Sequence, residues 1–269
     1  MTIEMWNRRA MVFGLGAAAA SPALAQLLPE QTPRPQLDVP YVPTPQEVVE
    51  RMLGMAQVTA KDFVMDLGCG DGRMLVTAAT RYGARGFGVD LNPQRIREAT
   101  ENAKAAQVSD KVRFEVKNLF DTSIRDADVL TMYLLPSVNL QLRPRILDEM
   151  KPGSRIVSHA FDMGDWEPDQ RDMIDYSRIW FWFVPAKVAG AWTLTDGGER
   201  VELAVEQSFQ KITGAARAGA AAGRIEGRLK GVDVEFTLDL AGRQKKYAGR
   251  VAGNAVTPAG GSGWTLARV

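Results

Sequence analysis

The chain has 269 residues, 45% of them apolar, which is enough for one good core and for a second, smaller one. Its 33 basic and 32 acidic residues give a net charge of +1, without the basic excess of a nucleic-acid footprint, so no nucleic-acid partner is expected. One cysteine (Cys69) excludes an internal disulfide, and one histidine (His159) excludes a histidine-rich metal centre, so no metal site is expected.

Residues 1–25 read as an export signal. Arg8-Arg9 follows Asn7, an apolar run occupies 10–20, and Ala23-Leu24-Ala25 offers a small-residue cleavage site. The paired arginines resemble a twin-arginine signal, which carries a folded protein and any ligand already bound. The expected location is exported or periplasmic, with membrane proximity through the N-terminus. If the signal is not used, the chain is cytoplasmic or membrane-anchored, although the apolar run is short for a bilayer span.

Residues 26–43 form a proline-rich linker. Thr44 then reads as an N-cap, Pro45 as the first helical position and Glu47 as the partner in a capping box. From here strand and helix alternate. Phe63–Leu67 is an apolar strand, followed by a glycine turn and a helix through Met74, Leu75, Ala78 and Ala79. Strands are expected at 86–91, Val112–Val116, 129–133 and 155–160, with helices after Asn92-Pro93 and over 138–150, the latter placing Leu140, Ile146 and Leu147 on its apolar side. Such alternation predicts a parallel sheet covered on both faces, with ligand-binding loops along one edge.

After the aromatic strand at 179–184 the texture changes. Val234, Phe236, Leu238 and Leu240 alternate with acidic and polar residues, and glycines punctuate the rest. This predicts an antiparallel meander or small open barrel over about 190–269, either a packing or partner-binding module or a barrel that holds a ligand. The fold class is therefore α/β: a Rossmann-like, doubly wound, mostly parallel sheet over 44–186, then a small antiparallel β-rich domain over 187–269.

The chemistry concentrates in Asp66-Leu67-Gly68-Cys69-Gly70-Asp71-Gly72-Arg73. Glycines here permit a tight turn and close approach of backbone to a ligand. A dinucleotide loop would want glycine where Arg73 stands, and a P-loop would want lysine and a hydroxyl. The pattern suits a smaller ligand bearing an ammonium and no pyrophosphate. Asp90 ends the second strand, where a carboxylate can accept hydrogen bonds from two ribose hydroxyls. Cys69 reads as a small space-filler.

These residues resemble motifs I and II of the class I S-adenosylmethionine (SAM) dependent methyltransferases. The resemblance implies SAM as cofactor, with Asp66, Gly68 and Gly70 at the methionine end, Asp90 on the ribose, and Asn118 and Leu119 at the adenine. Tyr133 would stand nearest the methyl group. A narrower resemblance, carried by Pro40-Tyr41-Val42-Pro43-Thr44, Tyr133-Leu134-Leu135-Pro136 and the segment 158–166, is to bacterial relatives of the mitochondrial lysine methyltransferases of the ATP synthase c subunit and the adenine nucleotide translocase. It implies that Tyr41 and Thr44 fold over the methionine carboxylate.

Methyl transfer from a sulfonium needs alignment and charge stabilisation, and a base only where the acceptor is protonated. Tyr133 and His159 are the candidate catalytic residues. Asp162, Asp165, Glu167 and Asp169, with Trp166 among them, either draw in a cationic acceptor or form a solvated loop around a core tryptophan. The acceptor stays open between a protein lysine, a small amine and a lipid. Two other activities fit the pattern less well: an exported SAM-fold binding protein without turnover, and a nicotinamide-dependent oxidoreductase.

Overall fold

The computed structural model describes residues 41–261 and 263–269. The expected signal, and the linker up to residue 40, lie outside the described residues. The chain runs α1 (Gln46–Met55), β1 (Phe63–Leu67), α2 (Arg73–Tyr82), β2 (Arg85–Asp90), α3 (Pro93–Ala105), β3 (Val112–Val116), β4 (Val129–Met132), α4 (Pro136–Glu149) and β5 (Arg155–His159). A hairpin of β6 (Gln170–Ile174) and β7 (Ser177–Phe183) completes a seven-stranded sheet in the order β3-β2-β1-β4-β5-β7-β6. The first five strands are parallel, while β7 runs antiparallel to β5 and β6 to β7.

Alternate side chains of β1 enter two cores. Val64 packs with Val49, Met52 and Leu75 under α1 and α2, whereas Met65 and Leu67 pack with Leu130, Leu142 and Ile146 under α4. Strand order reverses between β1 and β4, so the loops leaving these strands diverge and open a crevice at their carboxyl ends.

Three local expectations are corrected. Thr44 does not cap α1: the N-cap is Pro45, without a side-chain bond, because the Thr44 hydroxyl is engaged by His159. Helix α4 starts at Pro136, whose fixed φ suits a first turn. It buries Val138, Asn139, Leu142 and Ile146, whereas Leu140 is exposed. Strand β6 escaped the sequence pattern because Gln170-Arg171-Asp172 lies on a polar edge held by the Arg51–Asp172 ion pair.

The rest of the chain is an eight-stranded barrel, closed where an open one was expected: β8 (Gly190–Asp196), β9 (Glu199–Ser208), β10 (Lys211–Ala218), β11 (Ala221–Lys230), β12 (Asp233–Leu240), β13 (Arg243–Ala252), β14 (Ala255–Pro258) and β15 (Trp264–Arg268). Each strand pairs antiparallel with the next, and β15 returns to β8. Tight coiling brings neighbouring backbone onto inward-facing positions. A Cβ on Gly223 would lie 2.1 Å from the Asp239 carbonyl oxygen, and one on Gly227 would lie 2.2 Å from that of Glu235. Trp192, Leu194, Phe236, Leu238 and Trp264 fill the interior, leaving a cavity of about 20 Å³. That is room for about one water, so the barrel is a packed core and holds no lipid-sized ligand.

Candidate active site

The crevice is built on three strand ends. After β1 the chain turns through Gly68 and Gly70 with φ of 79° and 52°. The Gly68 and Cys69 amides donate to the Val89 carbonyl at 2.9 Å, pinning the turn to β2. A Cβ at Gly70 would lie 2.6 Å from the Tyr41 ring, and one at Gly68 would lie 2.9 Å from Leu134. Glycine is required at both positions by backbone angle and by space. Asp90 braces the turn from β2, its Oδ2 accepting from Gly70 N at 3.0 Å and its Oδ1 from Asn92 N at 2.8 Å.

Asp66 is buried at the end of β1 and accepts from the Thr131 hydroxyl at 2.7 Å. Burial raises its pKa to about 7; Thr131 opposes the rise, and the charges of Asp90 and Asp71 add to it. Burial pushes the neighbouring Cys69 thiol well above its usual value, so this side chain is an inert filler. Asp71 behaves differently. Burial raises its pKa, but the hydrogen bonds and charge of Arg73 outweigh that and hold it below the usual value.

Arg73 grips Asp71 with Nε at 2.9 Å and Nη2 at 2.6 Å, and its Nη1 donates to the Thr44 carbonyl at 2.9 Å. The Arg95 guanidinium lies 4.4 Å from the Tyr41 ring centroid. These two arginines strap residues 41–44 across the glycine turn. The sequence marks Arg73 only as a missing glycine and gives no signal for Arg95, because the strap residues they hold, Thr44 and Tyr41, are distant in the chain.

On the far side, Thr44 Oγ1 lies 3.1 Å from His159 Nδ1, and the His159 ring sits 3.9 Å from that of Tyr133. Burial lowers the pKa of His159, so the imidazole is neutral at pH 7. Tyr41, Thr44, Asp66, Gly68, Gly70, Asp90 and Tyr133 all line one cleft. Asn118 and Leu119 stand apart from that lining. Asn118 Oδ1 accepts from Phe120 N at 2.9 Å, and Leu119 is buried.

The acidic loop is built around a core tryptophan, one of the two readings its sequence allowed. Trp166 is fully buried and stacks on Phe209 of the β9–β10 turn at 5.9 Å. Glu167 pairs with Lys211 at 2.7 Å, Asp169 with Arg228 at 3.5 Å, and Asp165 with Arg143. The Glu167 and Asp169 pairs dock the barrel onto the loop after β5, the Asp165 pair ties that loop to α4, and Asp162 has a purely local bond, accepting from Gly164 N.

Comparison with known proteins agrees with this geometry. Residues 66–170 match the family described as ANTKMT methyltransferase domain. A protein-lysine N-methyltransferase of Saccharolobus islandicus is 46% identical over 133 residues, covering 49% of this chain and 83% of that protein. The adenine nucleotide translocase lysine N-methyltransferase of Mus musculus is 34% identical over 146 residues, covering 54% of this chain and 63% of that protein. Among solved structures, an RNA methyltransferase from Salinibacter ruber in complex with S-adenosyl-L-homocysteine is 45% identical, with a TM-score of 0.54, covering 55% of this chain and 96% of that one. The chain therefore belongs to the ANTKMT methyltransferase domain family and is a SAM-dependent methyltransferase.

Proposed function

We propose that this enzyme methylates lysine side chains of a protein. The observation that carries the proposal is the cleft itself: Asp66, Asp90 and Tyr133 line it, and the neutral, buried His159 lies directly behind Tyr133. The 46% identity to a protein-lysine N-methyltransferase supports the same acceptor. A chain of net charge +1 with acidic groups in the cleft is poorly suited to a polyanion such as RNA.

The residues fit SAM. The backbone at Gly68 and Gly70 has no room for a Cβ, Asp90 ends β2, and Asp66 lies beside them. Gly68, Gly70 and Asp66 would hold the methionine end, with Tyr41 and Thr44 closing over its carboxylate. Asp90 would take the ribose, and Asn118 and Leu119 would border the adenine. When bound, SAM supplies a methyl group on a sulfonium, ready for in-line displacement.

The chain's own residues prepare the acceptor. A lysine ammonium, with a pKa of about 10.4 in water, must lose a proton before it can attack. His159 keeps Nδ1 on Thr44 and leaves Nε2 without a hydrogen-bond partner among the described residues. In this proposal it is the neutral group that takes that proton or orients the amine. The Tyr133 ring and the strap over residues 41–44 line the cleft.

As part of the same proposal, residues 1–25 act as an export signal and bring the enzyme to the cell envelope. The mass of mature protein recovered from envelope fractions tests that part. The activity is tested by incubating full-length protein with methyl-labelled SAM and an envelope protein fraction, then hydrolysing the product. Label in methylated lysine is expected; label confined to RNA or lipid overturns the assignment.

A further inference from the structure

The corner after β5 is strained and unusually well tied. Ala160 has a φ of +64°, a left-handed backbone that a Cβ disfavours. Phe161 N donates to the His159 carbonyl at 2.8 Å, closing a three-residue γ-turn of the rare positive-φ kind. Such a conformation persists only where its surroundings over-determine it, and here three elements do so. From β7, Trp180 Nε1 donates to the Ala160 carbonyl at 3.1 Å, and Ala160 N donates to the Arg178 carbonyl at 2.8 Å. From β5, Ser158 Oγ donates to the Phe161 carbonyl at 2.7 Å.

From α4, Asn139 Nδ2 reaches the carbonyls of Phe161 and Asp162, each at 3.2 Å, and Ser158 Oγ at 3.3 Å. Asn139 is fully buried and its Oδ1 has no partner. A buried asparagine inside a helix is a poor choice for helix propensity and for core packing. Its donors are what justify its place. The turn ends β5 at His159 and brings the rings of His159 and Phe161 to 3.9 and 6.4 Å from Tyr133.

We infer that Asn139 is a positioning residue: it clamps the strained turn at Ala160, and the clamped turn fixes the His159 imidazole against Thr44 and Tyr133, two residues that line the cleft. That these residues face an acceptor rests on the proposed function; that the clamp fixes the ring does not.

His159 is the chain's one histidine, so its ring nitrogens give an isolated signal in histidine-¹⁵N-labelled full-length protein. At pH 8 the ring is neutral, and wild type is expected to show one fixed tautomer. Asn139→Ala should release the turn and average the tautomers, with lines roughly twofold broader or more. Ala160→Gly alone should leave the signal unchanged, because glycine adopts this backbone without a clamp. The double variant Asn139→Ala/Ala160→Gly should then recover the fixed tautomer, which a general loss of core packing at position 139 would not do. If Asn139→Ala does not fold, Trp180→Phe, which removes the donor to Ala160, takes its place. A sharp, unshifted signal in the clamp variant, or a double variant as broad as the single one, overturns the inference. A wild type with a fixed ring but no transfer of label to lysine would sink the functional proposal and leave this one standing.

Discussion

Asp66 shows how burial and charge set the working range of the cleft. Its carboxyl titrates near 7 because burial disfavours the ion. The sign follows. Below the unfolded value of about 3.8 both states are protonated, and the contribution to stability is intact. As pH rises toward 7, the unfolded chain ionises first and that contribution is lost. Asp66→Asn removes the titration. Relative to this variant, the melting temperature of wild type without cofactor should fall between pH 5 and pH 8, and parallel curves would contradict the account. The same variant should weaken SAM and its demethylated product alike, because both carry the methionine ammonium that Asp66 would meet; a loss confined to SAM would contradict that placement. His159 works in the opposite direction. Its lowered pKa gives a contribution that is present above about 6.5 and lost as pH falls.

At the scale of elements, the glycine turn and the strap are one device. Gly70→Ala would set a Cβ 2.6 Å from Tyr41 at a φ of 52°. It should abolish cofactor binding while the circular dichroism spectrum stays native. Arg95→Ala, which removes the cation–π contact to Tyr41 together with the local Glu98 ion pair, should weaken binding by about two- to fivefold, in line with roughly 0.5–1 kcal/mol. In the barrel, Gly227→Ala forces a Cβ onto the Glu235 carbonyl. It should destabilise the fold by about 1–3 kcal/mol in a denaturant melt.

Much of this was legible in the sequence. Buried strands announced themselves as apolar runs, the glycine turn by its spacing, and β12 by strict alternation. What was hidden depends on partners distant in sequence. Thr44 looks like a cap until His159, 115 residues away, takes its hydroxyl. The edge strand β6 has no apolar face to detect. Alternation reveals a buried face but not which strands meet, so the pairing of β15 with β8 that closes the barrel could not be read.

For the whole molecule, the barrel adds a rigid body behind the loop that follows β5. Trp166 lies in the core under α4 and receives the barrel's β9–β10 turn, stacked on Phe209, with Trp182 Nε1 donating to the Trp166 carbonyl at 2.9 Å. Trp166→Ala should cost about 3–5 kcal/mol and separate one thermal transition into two. The exposed Glu167–Lys211 pair matters far less: reversing either charge should change stability by under about 1 kcal/mol. Apolar docking thus holds the barrel in place, and its ion pairs adjust the fit.

The most direct measurement is calorimetric titration of S-adenosylhomocysteine into full-length wild type, Asp90→Ala, and the barrel variant Asp196→Ala as a control. Wild type and the barrel variant should bind alike, while Asp90→Ala should lose at least about tenfold in affinity, or roughly 1.4 kcal/mol. Equal binding by all three folded proteins, or binding by none, would contradict the assignment of this cleft.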